Sequence, residues 1–108
     1  MTFETRLVLS ENTKNRSNTK TQRESVFQPE FREDLKYWVE TDRKTALRIF
    51  QLIESVMRDS FQGIGKPEPL KYDLAGYWSR RIDHEHRLVY QVIGEDLRII
   101  SCKYHYDK

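Results

Sequence analysis

Cysteine is almost absent from this chain of 108 residues: Cys102 stands alone. No disulfide can form within the chain, and no cysteine-based zinc site can close. A reducing, cytoplasmic setting is the expectation from that usage. Long apolar runs are missing as well. Leu7-Val8-Leu9, near the start, is too short for the core of a signal peptide, and nothing later approaches a membrane span. Nor does one sign of charge prevail, since 19 basic residues face 17 acidic ones for a formal +2. Bulk charge of that size does not hold nucleic acid, so any action on nucleic acid must rest on locally placed groups. Glycine and proline are scarce, at 4 and 3, and Gly63, Gly65, Pro67 and Pro69 crowd into one short stretch that no helix can cross.

What is present suits one small domain, with 37% hydrophobic residues that must nearly all converge, helped by 12% aromatics. Residues 1 to 24 are rich in Ser, Thr and Asn and hold one aromatic residue, Phe3. They are expected to form a polar, flexible N-terminal tail. The rival reading is an RNA-contacting arm, because Arg6, Lys14, Arg16, Lys20 and Arg23 are spread along it. Residues 25 to 108 carry the domain. Ser25-Val26-Phe27 is a candidate first strand, and Pro29 can open a helix. Phe31, Leu35 and Trp38 fall on one face of that helix. Thr41-Asp42 interrupts and caps a second helix, along which Ala46, Ile49, Phe50, Ile53, Val56 and Met57 keep helical spacing. Strand-like runs follow at 70–74, 77–82, 87–93 and 97–104, the last three joined by hairpin-sized turns. This order predicts an α+β fold, a helical hairpin packed on one face of a small antiparallel sheet. The other face is then free for work.

Three stretches carry chemistry. In Gly65-Lys66-Pro67-Glu68-Pro69-Leu70-Lys71 two prolines stiffen the mount of Glu68, and Lys66 and Lys71 favour its ionised form. A rigid mount suits a general base, although an exposed turn glutamate would look the same. In Tyr77-Trp78-Ser79-Arg80-Arg81-Ile82, alternation puts Arg80 with Trp78 and Ile82, and Arg81 on the opposite face. The next hairpin returns Arg87 to that region. Two guanidinium groups side by side fit a phosphate between them, or pair with Asp83 or Glu85. At the chain end, His105 can exchange a proton near neutrality, and Tyr104 and Tyr106 can stack on unpaired bases. His84-Glu85-His86 raises a metal site, but no third ligand is evident. A carboxylate, two arginines and a histidine are what cleavage of RNA through its 2′-hydroxyl needs.

From about Phe27 to Tyr106 the sequence resembles the YoeB (Txe) family of toxin–antitoxin toxins, within the RelE-like superfamily. The matching stretches are Tyr37-Trp38, Thr41-Asp42, Gly63 with residues 65–71, Trp78 to Ile82, Glu85 to Tyr90, and Tyr104-His105-Tyr106. The resemblance implies a RelE/ParE-like toxin fold and cleavage of mRNA in the ribosomal A site without a metal or other cofactor. It implies Glu68 as general base, Arg87 as the stabiliser of the transition state and His105 as general acid. Arg81 and Lys71 match phosphate or RNA contacts, and Tyr106 the tyrosine that positions the substrate. A YefM-like antitoxin is the implied partner, with operator DNA bound only through the toxin–antitoxin complex; whether two copies pair is left open. The tail before Ser25 and Asp107-Lys108 after Tyr106 depart from the family pattern. A gyrase-binding toxin of the ParE kind and a corepressor without activity are the rivals. The retained Glu68, Arg87 and His105 speak against both.

Overall fold

Proline at the first helical position, with its φ already set for a helix, starts α1 (Pro29–Thr41). The backbone N–H of Gln28 just before it donates to the carbonyl of Ile99 at 3.0 Å, so the helix start is tied to the sheet. Asp42 serves both helices. Its N–H closes α1 on the Trp38 carbonyl at 2.7 Å, and its carboxylate accepts the Thr45 N–H at 3.2 Å to cap α2 (Arg43–Arg58). That capping bond holds the Asp42 carboxyl below the usual carboxylate range. The computed structural model describes residues 5–7, 23–71 and 76–104.

The two helices lie on one face of a six-stranded sheet in the order β1-β2-β6-β5-β4-β3. The strands are β1 (Thr5–Leu7), β2 (Ser25–Phe27), β3 (Glu68–Pro69), β4 (Tyr77–Arg81), β5 (Arg87–Ile93) and β6 (Asp96–Ser101). Phe31 and Trp38 of α1 and Ile49, Leu52, Ile53 and Val56 of α2 meet Leu88, Tyr90, Leu97 and Ile99 of the sheet in one buried core. Phe50, one of the residues that keep the helical spacing, is exposed. It sits roughly a quarter turn round the helix from the Ile49–Ile53–Val56 line, and Leu52 takes the core position instead. No helix among the described residues is long and apolar enough to cross a membrane.

The α+β architecture expected from the sequence is the one found, but the sheet is mixed rather than antiparallel, because β2 runs parallel to β6. Parallel neighbours cannot be joined by a hairpin, and here the chain from α1 to β5 intervenes. Two strand limits also differ. The strand expected over 70–74 is preceded by Glu68–Pro69, paired with Ser79 and Trp78 of β4; residues 72–75 lie outside the described ones. Pro69 has no N–H to give, which an edge strand tolerates. The last strand stops at Ser101 instead of reaching Tyr104. The Cys102 N–H goes to Asp34 Oδ2 at 2.9 Å and its carbonyl accepts from Trp38 Nε1 at 2.8 Å, so neither serves a neighbouring strand.

Within the stretch read as a tail, Thr5–Leu7 pairs antiparallel with β2 in the register Arg6↔Val26. Arg23 reaches the C-terminal end of α2, donating to the carbonyls of Val56 at 3.4 Å and Met57 at 3.3 Å, and to Glu95 O at 2.8 Å. The Val56 and Met57 carbonyls belong to the last turn of α2, where a helix leaves its carbonyls open, and a cation there also suits the helix dipole. Residues 1–4 and 8–22 lie outside the described residues.

Candidate active site

Strand pairing decides which side chains meet. Arg81 of β4 lies directly opposite Arg87 of β5, and one row further in Glu68 of β3 pairs with Ser79 of β4. Directly paired residues project to the same face of a sheet. The three charged groups therefore share the face away from the helices, at the end near the β4–β5 turn. Arg87 Nη1 stands 3.9 Å from Glu68 Oε1. The Asp83 and Glu85 alternatives for the arginines are not what forms. Asp83 Oδ1 accepts the N–H groups of Glu85 at 2.9 Å and His86 at 2.7 Å and so builds the turn, while Glu85 Oε1 lies 3.6 Å from His86 Nε2.

The sequence leads one to expect that face to be free for work, but it is not uniformly open. Ser79, Val89 and Ser101, one strand-register row, are buried, and only the charged end is accessible. Arg81 is exposed and Arg87 half-buried. Two cations directly opposite each other repel; a carboxylate on one side and an anion between them relieve that. Arg87 Nε is buried without a hydrogen-bond partner, so part of the guanidinium is desolvated and uncommitted. Lys71 is exposed two residues past β3.

Glu68 hangs on a stiff arm. Lys66 has φ +50°, in the left-handed region that a side chain adopts at some cost, and Pro67 follows it. Just before them the loop is bound into the core by Arg80, which is fully buried. Its Nη2 donates to the carbonyls of Asp59 at 2.6 Å and Gln62 at 3.0 Å. Its Nη1 donates to Ser55 Oγ at 2.6 Å and the Ile64 carbonyl at 3.2 Å, and its Nε to Tyr90 Oη at 3.2 Å. Burial pushes the Tyr90 phenol up, so it stays protonated and donates to Ser60 O at 2.7 Å. Alternation placed Arg80 on the inner face; its partners carried no signal, being mostly backbone carbonyls.

The stretch that leads to His105 is fixed from other directions. Besides the two bonds at Cys102, the Tyr104 N–H donates to His86 Nδ1 at 2.7 Å and the Tyr104 carbonyl accepts from the Arg87 N–H at 3.0 Å. Tyr104 has φ +63° and turns the chain off the strand line. Lys103 Nζ sits 3.8 Å from the centre of the Tyr37 ring. His86 is buried between Trp38 and Tyr104, with ring centres 4.8 and 5.4 Å away. Its Nδ1 lone pair is already used, as suits a structural histidine rather than a ligand. Among the described residues no group of three or more His, Cys, Asp or Glu is placed to hold a metal ion. Burial pushes the Cys102 thiol well up, away from nucleophilic use. His105 and Tyr106, expected as acid and substrate contact, lie outside the described residues.

Residues 27–106 match the model of the YoeB-like toxin of bacterial type II toxin–antitoxin systems. A protein named Toxin YoeB from Mycobacterium bovis is 54% identical over 80 residues, covering 74% of this chain and 94% of that protein. The solved YoeB/ParE toxin from Agrobacterium tumefaciens superposes with a TM-score of 0.73 at 46% identity, covering 76% of this chain and 98% of that one. The toxin in a heterotetrameric YoeB–YefM toxin–antitoxin complex from Staphylococcus aureus gives a TM-score of 0.70 at 48% identity, over 80% of this chain and 100% of that one.

Proposed function

The chain belongs to the YoeB-like toxins of bacterial type II toxin–antitoxin systems, and on that premise we propose that it is a ribosome-dependent endoribonuclease cutting mRNA in the A site. The observation that carries the reading is the meeting of Glu68 with Arg87 at 3.9 Å, with Arg81 directly opposite Arg87 in the sheet. An ion pair of that length between partly exposed groups is worth about 0–1 kcal/mol. A phosphate can therefore take Arg87 from Glu68 at little cost. That exchange leaves the carboxylate beside the substrate with no cation claiming it.

In the proposed reaction Glu68 accepts the proton of the ribose 2′-hydroxyl. The 2′-oxygen then bonds to the adjacent phosphorus, and the bond from phosphorus to the 5′-oxygen breaks. Arg87 carries the extra negative charge of the five-coordinate phosphorus, the state in which its forked donors matter most. His105 gives its proton to the departing 5′-oxygen. The products are a 2′,3′-cyclic phosphate, which can open to a 3′-phosphate, and a 5′-hydroxyl. Arg81 and Lys71 hold the RNA backbone and Tyr106 orients the nucleotide. No step is assigned to a metal ion.

The +2 formal charge fits an enzyme to which the ribosome presents the RNA, since little free RNA would be held by charge alone. A YefM-like antitoxin is the proposed inhibitor, operator DNA being bound through that complex, and the cytoplasm is the place of action. Residues 25–108 form the nuclease unit. Mapping the ends of a transcript cut on purified ribosomes tests the chemistry. Products with 5′-hydroxyl ends are expected, and 5′-phosphate ends would overturn the proposal.

A further inference from the structure

Burying a guanidinium is expensive unless every donor finds an acceptor. Arg80 has five N–H donors, and its bonds to Ser55, Tyr90, Asp59, Gln62 and Ile64 account for them, all ending on neutral oxygens. An apolar side chain would fill this core position more simply. What the cation does instead is gather three carbonyls of one loop, which would otherwise turn to solvent. The loop is shaped to accept this. Gly63 and Gly65 have φ +132° and +84°. A Cβ on Gly63 would strike Ser55 Oγ and stand 2.9 Å from Arg80 Nη1, and one on Gly65 would stand 2.8 Å from Leu52 Cδ2 and 3.1 Å from Arg80 Cβ. Side chains there would push the backbone off the guanidinium.

Between this cage and Glu68 only Gly65, Lys66 and Pro67 intervene. The Gly65 carbonyl is itself held by the Arg81 N–H at 2.6 Å. Gly65 and Lys66 both have positive φ and Pro67 is fixed by its ring, so the arm has little freedom to absorb a shift. Arg80 and Arg81 are neighbours in β4 and point to opposite faces. The strand residue that anchors the base's arm is thus adjacent to the one that lines the phosphate face. We infer that Arg80 is a positioning residue for Glu68: by caging the 59–64 carbonyls it sets where the carboxylate stands relative to Arg81 and Arg87. This inference rests on the nuclease reading for its catalytic consequence, but not for its structural one.

Arg80→Lys keeps a charge and loses the fork, so it separates the two. At a temperature well below its unfolding, hydrogen exchange of the full chain is expected to rise at amides 60–71 while the α1 and α2 amides stay protected. In single-turnover cleavage on purified ribosomes, the rate is expected to fall about tenfold to a hundredfold, the cost of misplacing a reacting group by an ångström or less, with the apparent affinity for ribosomes unchanged. If Arg80→Lys fails to fold, Ser55→Ala removes one of the five acceptors and is read in the same way, with smaller shifts. Unchanged exchange over 60–71, or a folded variant that cuts as fast as wild type, would overturn the inference. A wild-type chain that cuts nothing would instead overturn the nuclease reading, and exchange alone would then decide whether Arg80 holds the loop.

Discussion

The two arms that carry the proposed base and lead to the proposed acid are held in opposite ways. Glu68 rides on a loop whose carbonyls close around a buried side-chain cation, Arg80. The 102–104 stretch is main chain gripped by side chains from elsewhere: Asp34 and Trp38 of α1 and His86 of the β4–β5 turn. In the first case one residue organises many backbone groups; in the second several residues each hold one. The first should fail all at once and the second by degrees. The first charge is permanent, since arginine does not titrate in proteins, whereas the second includes a carboxylate that does.

The comparison can be broken most severely at what the first arm carries. Glu68→Gln keeps the shape and removes the base, and cleavage on ribosomes should fall by about 10²–10⁴-fold with the thermal midpoint unchanged. A variant retaining full rate would show that the arm presents no base. Arg87 belongs to both arms, since its N–H holds the Tyr104 carbonyl and its side chain meets Glu68. Arg87→Lys preserves the backbone bond and loses the fork, so the rate should drop by about 10²–10³-fold while exchange at amides 102–104 stays as in wild type.

Smaller effects should separate the arms. Trp38→Phe leaves the Cys102 carbonyl without its donor, a loss of about 1–3 kcal/mol for a buried group. Thermal unfolding should show it, at roughly 4–8 °C per kcal/mol for a domain of this class, with exchange at 60–71 untouched. The smallest shift concerns Asp34, whose carboxyl burial raises above its ordinary value of 3.8. Because the folded value is the higher one, its contribution to stability is fully present below the unfolded value and is lost as pH rises through the folded one. Asp34→Asn keeps an oxygen for the Cys102 N–H and does not titrate. Its denaturation midpoint should therefore gain slightly on wild type between acid and neutral pH, and a pH-independent difference would contradict this.

How much of this was legible in the sequence follows the range of the forces. The two helices, the Asp42 cap and the hairpin strands rest on neighbours a few residues apart, and their spacing showed them. Alternation sufficed to put Arg81 outside and Arg80 inside. The cage around Arg80 was not legible, because three of its acceptors are carbonyls that any residue supplies. The parallel pairing of Ser25–Phe27 with Leu97–Ile99 joins distant segments with no local sign. Likewise, an alternating pattern carries β6 past Ser101 on paper, while in the molecule Asp34 and Trp38 take over the Cys102 backbone. His105 and Tyr106 rest on the family resemblance.

The grip of α1 on Cys102 has a consequence in time. Asp34 and its partner lie 68 residues apart in the chain, and β2 has no β6 to pair with until residues 97–99 exist. Contacts of such span form late and slowly. During synthesis the helical hairpin and the Glu68 loop emerge first, with their sheet incomplete and the stretch that leads to the proposed acid still unmade. On the proposed function, a site able to cut mRNA is therefore assembled only after residues 97–104 have been made and have found their partners in β2 and α1.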